Sequence, residues 1–148
     1  MRIAPRLIVF ALVVAVSTMV GAAWPLQQAE IQYYGSSPNR PFSNAVRVGN
    51  TVYLSGQIGR GEGIEAQTRA SLESIKTRVE EVGGTMDDVV KCLVMLADMA
   101  DFSGMNSVYT TYFTKHRPAR SAFGASGLAA NARVEIECIA VLGARNAD

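Results

Sequence analysis

Histidine and cysteine are scarce in this sequence of 148 residues, which contains one histidine, His116, and two cysteines, Cys92 and Cys138. Side chains that bind a metal ion are normally clustered at short spacing along the chain, and these three residues form no such cluster. We therefore predict no metal site. His116 also lies in a polar loop, apart from either cysteine, which disfavours a catalytic cysteine.

A single long apolar run stands in the sequence, over residues 7–23. It follows Arg2 and Arg6 and ends in small residues near Ala23, which is the order of a secretory signal peptide. We predict that residues 1–23 are a signal peptide removed on export. A retained membrane anchor is the alternative, because roughly 20 apolar residues suffice to cross a bilayer. In either case the folded domain is expected to be periplasmic or secreted.

The sequence has no excess of basic charge, with 14 lysine and arginine residues against 13 acidic ones. Without Arg2 and Arg6, 12 basic residues remain, and the net charge of residues 24–148 is −1. No segment is densely basic, whereas a nucleic-acid-binding protein normally carries a basic stripe. A nucleic-acid partner is therefore disfavoured. Residues 24–148 are long enough for one domain with a modest core.

Hydrophobic periodicity predicts an α/β (α+β) domain with the element order β-β-β-α-β-α-β-β. A helix is predicted over Ile64–Val82, because apolar residues recur there at helical spacing. A second helix is predicted to begin at Asp98 or Asp101 and to run to Phe113. Its apolar stripe is Phe102, Met105, Tyr109, Tyr112 and Phe113. Gly49-Asn50 predicts a hairpin turn between two strands. The predicted strands are Glu30–Tyr34, Asn44–Val48, Thr51–Ile58, Asp88–Ala97, Arg120–Gly124 and Arg133–Leu142.

Two of these strands are apolar on both faces, over residues 91–97 and 134–141. Successive side chains of a strand point to opposite faces of the sheet, so both faces of this sheet must be covered. Two helices in a chain of this length can cover one face. We therefore predict that the other face is buried against further copies of the chain in a closed symmetric oligomer. Loops that cover the strand within a monomer are the alternative.

The two cysteines lie inside these apolar runs. We predict that Cys92 and Cys138 are free and buried, as small hydrophobic residues. A disulfide is the alternative. It requires the two strands to be neighbours in the right register, which the sequence does not specify.

Charged residues on strands that are otherwise apolar form the candidate site. Arg120 begins a strand after Pro118, and Glu135 and Glu137 open the last strand. A charged group on a face committed to burial must be paired or functional. From these residues alone, an ion pair between Arg120 and one glutamate at an interface remains open beside a catalytic or binding role.

Several segments, taken together, resemble the RidA/YjgF family over roughly residues 29–143. They are PFSNAVRVGNTVYLSGQIG, IEAQTRASLESIK, DDVVKCLVMLADMADFSGMNSVYTTYF, RPARSAF and ARVEIECIAVLG. The resemblance implies a chorismate-mutase-like fold, with one sheet and two helices on one face. It also implies a homotrimer whose active sites lie in clefts between subunits.

The same resemblance implies a reaction: hydrolytic deamination of small 2-imino or enamino acids to 2-keto acids and ammonia, without a cofactor. Arg120 would hold the substrate carboxylate and Glu135 would be the acid–base residue. The other implied substrate-binding residues are Phe42, Ser55, Gly56, Asn106 and Ala122. Phe42 stands where many members have tyrosine, and Ala122 where many have cysteine. A non-catalytic protein of the cell envelope that binds small carboxylates is the alternative function.

Overall fold

The computed structural model describes residues 28–144, and the predicted signal peptide at residues 1–23 lies outside them. The described chain forms one six-stranded sheet with two helices, as the sequence predicted. Within these residues no helix is long and apolar enough to cross a membrane. The strands are β1 (Ile31–Tyr34), β2 (Ala45–Val48), β3 (Thr51–Ile58), β4 (Val89–Leu96), β5 (Ala119–Gly124) and β6 (Val134–Val141). The helices are α1 (Gly63–Glu81) and α2 (Phe102–Tyr112).

The sheet has the strand order β1-β2-β3-β6-β4-β5, so the last strand of the chain lies at its centre. The pairs β1–β2, β2–β3, β3–β6 and β6–β4 are antiparallel, whereas β5 runs parallel to β4. The register of β3 against β6 shifts between Leu54 and Gln57. This irregularity falls on Ser55 and Gly56, two of the predicted site residues.

The core lies between one face of the sheet and the two helices. The predicted apolar stripe of α1 is confirmed, since all its members are buried: Ile64, Thr68, Leu72, Ile75, Val79 and Val82. In β6 the even-numbered residues, Val134 to Ala140, are fully buried on the same side, and the odd-numbered ones are not. The two faces of the sheet therefore differ, and only one is covered within the chain.

Two aspartates stabilise the start of α2 in different ways. Asp98 accepts a hydrogen bond from the backbone nitrogen of Ala100 and caps the single 3₁₀ turn that leads into α2. Asp101 is buried and makes no capping bond. Its two oxygens accept hydrogen bonds from Arg133, at 2.9 and 2.6 Å. This bidentate pair ties α2 to the start of β6, next to Glu135.

Our prediction that the two cysteines are free was wrong, because Cys92 and Cys138 form a disulfide. The bond follows from the sheet order: β4 and β6 are neighbours, and the two cysteines are direct partners across them. Their Cα atoms lie 4.1 Å apart. Both residues are buried, at 1% and 2% exposure, so the second half of the prediction is confirmed.

Reducing this disulfide should destabilise the protein strongly. The bond joins residues 46 positions apart, and closing a loop of this length removes unfolded-state entropy worth about 4 kcal/mol. We expect the reduced protein to melt roughly 10–15 °C below the oxidised one in a domain of this size. The control is the double variant Cys92→Ala/Cys138→Ala, whose melting temperature should not respond to reductant. Equal melting of oxidised and reduced wild-type protein, with thiols counted, would contradict the prediction.

The second face of the sheet carries exposed apolar side chains. Tyr53 on β3 is 49% exposed and Phe123 on β5 is 45% exposed, although both belong to strands of the sheet. Leu93, Met95 and Ile139 stand between them on β4 and β6 and are only partly covered. We call this surface the open face. An apolar surface of this extent on a sheet is typical of a region that another molecule covers.

Candidate active site

Arg120 lies on the helix-covered side of the sheet. It is the register partner of Cys92, whose side chain belongs to the core, and parallel partners point to the same face. Because β5 is the last strand at this edge of the sheet, the side chain reaches past the core to α2. The parity of β5 therefore directs Arg120 toward the helix and leaves Ser121 and Phe123 on the open face.

The guanidinium of Arg120 is held by three residues of α2. Its Nη2 donates a hydrogen bond of 2.8 Å to Oδ1 of Asn106. Its Cζ atom lies 4.4 Å from the centre of the Tyr109 ring and 5.7 Å from that of Phe102. Both distances are within the range of cation–π attraction. The side chain is thus oriented on one flank, and its remaining N–H groups are available to a ligand.

A cleft of about 290 Å³ opens beside this guanidinium, and we call it the Arg120 cleft. Its size suits a small organic acid, at the lower end of ligand pockets. No carboxylate lines it, and Arg120 forms no ion pair within residues 28–144. Ala122, two residues along β5, is on the same face and packs against the core. The lining residues are Asn106, Tyr109, Thr110, Arg117, Pro118 and Arg120.

Tyr109 provides an uncharged surface beneath the guanidinium. Burial raises the pKa of Tyr109 to about 12, with Arg120 opposing the rise. The phenol is therefore neutral at physiological pH. Its hydroxyl is buried without a hydrogen-bond partner in the described chain. The ring thus orients Arg120 without neutralising its charge.

Ser55, Gly56 and Glu135 lie at a second place, which we call the Glu135 cluster, and the predicted Phe42 adjoins it through its chain neighbour Ser43. Glu135 is partly exposed on the open face and pairs with Ile58 across β3. Its carboxylate lies directly over Gly56. Ser55 Oγ donates a hydrogen bond of 2.6 Å to the carbonyl of Ser43, next to the exposed Phe42. The shifted register of β3 therefore brings these segments together around one carboxylate.

Replacing Gly56 with alanine should displace Glu135. A Cβ at this position would lie 2.9 Å from Cδ of Glu135 and closer still to Oε1, so the carboxylate must move. Because the side chain is flexible and partly exposed, we expect a melting temperature within a few degrees of wild type. If the chain has the imine-hydrolysing activity that the family resemblance implies, that activity should fall at least tenfold. Gly124→Ala is the matched control for added bulk, because its backbone does not require glycine and a Cβ there meets only the flexible, exposed side chain of Met99, at 3.1 Å. Full activity of Gly56→Ala would contradict a role for Glu135.

Within one chain the Arg120 cleft and the Glu135 cluster are far apart. They lie on opposite faces of the sheet, and β4 stands between β5 and β6. Arg120 aligns with Cys138 through Cys92, three residues along β6 from Glu135. The two residues are offset by two strand spacings across the sheet, which is roughly 10 Å, and by three residues along β6, which is also roughly 10 Å. The chain therefore does not bring its two predicted catalytic residues together.

The sequence motifs singled out Asn106, but the sequence analysis missed the two aromatic residues that flank the Arg120 guanidinium. Tyr109 was predicted to lie in the buried stripe of α2. It is buried, but its ring also packs against the guanidinium of Arg120. Phe102 was placed in the same stripe and is 37% exposed instead. It stands at the first turn of α2, beyond the edge of the core, and its ring faces Arg120. Arg117 was not singled out at all. Its spacing of three residues from Arg120, across a proline, was the available signal.

These features define a class: a single-sheet α+β domain with a cleft lined by two arginines at the β5 edge and a second face that the described chain leaves uncovered. The comparisons with known proteins are more specific. The profile of the family described as Endoribonuclease L-PSP matches residues 35–142. The chain belongs to this family, which is the RidA/YjgF family that the sequence motifs indicated.

Relatives and solved structures agree with this assignment. The chain is 40% identical to mouse 2-iminobutanoate/2-iminopropanoate deaminase over 111 residues, which cover 70% of this chain and 82% of the mouse protein. It is 39% identical to chloroplastic Reactive Intermediate Deaminase A of Arabidopsis thaliana over 110 residues, 69% of this chain but only 59% of that protein. The crystal structure of RidA from the Antarctic bacterium Psychrobacter sp. superposes with a TM-score of 0.68 at 36% identity, covering 78% of this chain and 99% of that one.

Proposed function

We propose that this protein hydrolyses small 2-imino acids, and the enamines in equilibrium with them, to 2-keto acids and ammonia. One observation carries the proposal: the Arg120 guanidinium is oriented by Asn106 and Tyr109, opens on a cleft, and has no carboxylate partner in the described chain. A guanidinium so placed suits a ligand carboxylate, which it can grip with two parallel hydrogen bonds. The deaminase names of the mouse and Arabidopsis relatives support the reaction.

The active unit we propose is a homotrimer whose sites lie between neighbouring copies. The open face offers the apolar surface for such contacts, through side chains such as Tyr53 and Phe123. In a closed ring, each copy can place its Arg120 cleft against the Glu135 cluster of the next. This arrangement would unite the two catalytic residues that a single chain keeps apart.

The proposed reaction requires the protein only to hold the substrate carboxylate, to place a water molecule and to transfer protons. With the carboxylate held by Arg120, a water molecule adds to the imine carbon, and Glu135 accepts its proton. Glu135 then returns the proton to nitrogen, which gives a carbinolamine. As the carbon–nitrogen bond breaks, the hydroxyl proton passes through Glu135 to the leaving nitrogen, so that ammonia departs and the hydroxyl oxygen becomes the carbonyl of the 2-keto acid. The backbone carbonyl of Ala122 is available to orient the water, so the missing cysteine side chain at this position is not required. Phe42 would close the pocket without contributing a hydroxyl. The steps use no metal or cofactor.

The test is competition with semicarbazide for imines made in solution. An amino-acid oxidase generates 2-iminobutanoate, semicarbazide traps it, and active protein should reduce the amount trapped. Glu135→Gln separates catalysis from binding, because it should lose turnover while 2-keto acids still raise its melting temperature. Equal trapping with and without wild-type protein, together with such stabilisation, would favour the alternative of a non-catalytic carboxylate-binding protein.

RNA is a poor candidate substrate despite the family's name. Outside residues 1–23 the basic residues do not outnumber the acidic ones, whereas RNA binding depends on phosphate neutralisation. A small acid in the Arg120 cleft needs no such surplus of charge.

We also propose that the domain works in the periplasm or outside the cell. The support is the sequence of residues 1–23, and a buried disulfide suits an oxidising compartment. N-terminal sequencing of protein from a secreting host tests this: a start near residue 24 supports cleavage, and an intact start in the membrane fraction supports anchoring through residues 7–23.

A further inference from the structure

A second arginine, Arg117, lines the Arg120 cleft. The two residues are separated by Pro118 and Ala119 on the approach to β5. Arg117 precedes β5, so the alternation of side chains along that strand does not fix its direction, and both arginines line the same cleft. Three residues of chain span at most roughly 10 Å, a distance that two arginine side chains can bridge around one small ligand. Pro118 also lines the cleft, and its ring restricts the backbone of Arg117 to extended conformations. The backbone of Arg117 is therefore restricted by the residue that follows it.

The charge of Arg117 is not compensated. Among residues 28–144 it has no hydrogen bond or ion pair. The neighbouring Lys115, in contrast, is paired with Asp87 at 2.7 Å. Of the part of the chain that the structure describes, no acidic side chain lines the Arg120 cleft. The segment that leads into β5 therefore presents two uncompensated guanidinium groups to the same cleft.

We propose that Arg117 binds a second carboxylate, so that the cleft selects dicarboxylic 2-imino acids of four or five carbons. This inference rests on the proposed function for the identity of the reacting group. Arg120 takes the carboxylate next to the imine carbon, because Asn106 and Tyr109 orient it from one flank. Arg117, which is exposed at the mouth of the cleft, takes the distal carboxylate. A ligand with two negative charges gains from both cations, whereas a monocarboxylic ligand gains from one.

Binding of two five-carbon keto acids that differ in one carboxylate tests the proposal. We expect 2-oxopentanedioate to bind wild-type protein about tenfold more tightly than 2-oxopentanoate, a difference of ~1.4 kcal/mol. Because Arg117 is exposed, the preference should shrink as salt is raised. In Arg117→Gln the ratio of the two dissociation constants should fall close to one. Lys76→Gln, which removes the same charge from the exposed side of α1, is the matched control and should keep the ratio.

Imine trapping distinguishes failure of this inference from failure of the proposed function. Hydrolysis of 2-iminopentanoate by the wild type, with equal binding of the two keto acids, would leave the deaminase function standing and overturn the selection by Arg117. A tenfold preference that survives Arg117→Gln would overturn it as well. Suppose that neither 2-iminopentanoate nor 2-iminopentanedioate is hydrolysed, while the wild type prefers 2-oxopentanedioate and Arg117→Gln does not. The second carboxylate site then stands and the catalytic proposal fails.

Discussion

Arg120→Ala should lower kcat/KM for 2-imino acids by about 100- to 10,000-fold. The variant removes two charge-assisted hydrogen bonds to the substrate carboxylate, and hydrogen bonds to charged groups contribute about 1.5–3 kcal/mol each. It should leave most of the core intact, because Arg120 is only partly buried and the one core residue that its guanidinium is seen to contact is Tyr109. The melting temperature should therefore change by only a few degrees. The measurement is the rate of imine hydrolysis against semicarbazide, at subsaturating substrate.

Arg120→Lys sharpens this test. Lysine keeps the positive charge but cannot form the planar fork that matches a carboxylate, and it loses the hydrogen bond to Asn106. We expect an activity between those of alanine and wild type, about tenfold or more below the latter. Arg69→Ala, on the exposed side of α1, is the matched control and should retain activity. A lysine variant as active as wild type would mean that charge alone is needed, and an active alanine variant would remove Arg120 from the mechanism.

The elements of this fold could be predicted from the sequence because their periodicity is local. The helical spacing from Ile64 to Val82 and the glycine-containing turn at Gly49-Asn50 each involve a few neighbouring residues, and both predictions hold. The uncovered second face was also predictable, since it follows from the alternation of one strand and a count of helices.

The order of the strands was not available in the same way. The last strand lies between β3 and β4 because of pairings between residues far apart in the chain, and no local pattern encodes them. This is why the disulfide was missed: each cysteine alone looks like a small core residue, and only the pairing of β4 with β6 makes them partners. The strand order and the disulfide both depend on the register between strands that are distant in the chain, and the sequence does not specify this register.

The candidate site shows the same limit. Motifs in the sequence singled out Arg120 and Glu135, but which face each side chain takes depends on the parity of its strand against its neighbours. Arg120 shares the face of Cys92, whereas Glu135 shares that of Met95. One residue of register would exchange these faces. The separation of the two charges therefore appears only in the folded chain.

That separation leads to the second large effect, complementation between inactive variants. Arg120→Ala lacks the carboxylate-binding group and Glu135→Gln lacks the base, so each variant alone should be inactive. When the two are expressed together, a mixed trimer contains one junction where an intact Arg120 cleft meets an intact Glu135 cluster. We expect trimers purified through two different tags to recover about one third of wild-type activity, because a closed ring of three with both variants has one such junction.

The controls isolate the origin of the recovery. Two differently tagged copies of Glu135→Gln, expressed together, should stay inactive, and the two variants mixed after purification should recover only as fast as subunits exchange. If Arg120 and Glu135 of the same chain formed each site, every site in a mixed trimer would carry one defect and no activity would return. Because β4 separates the two residues on opposite faces of the sheet, recovery is the outcome that the fold favours.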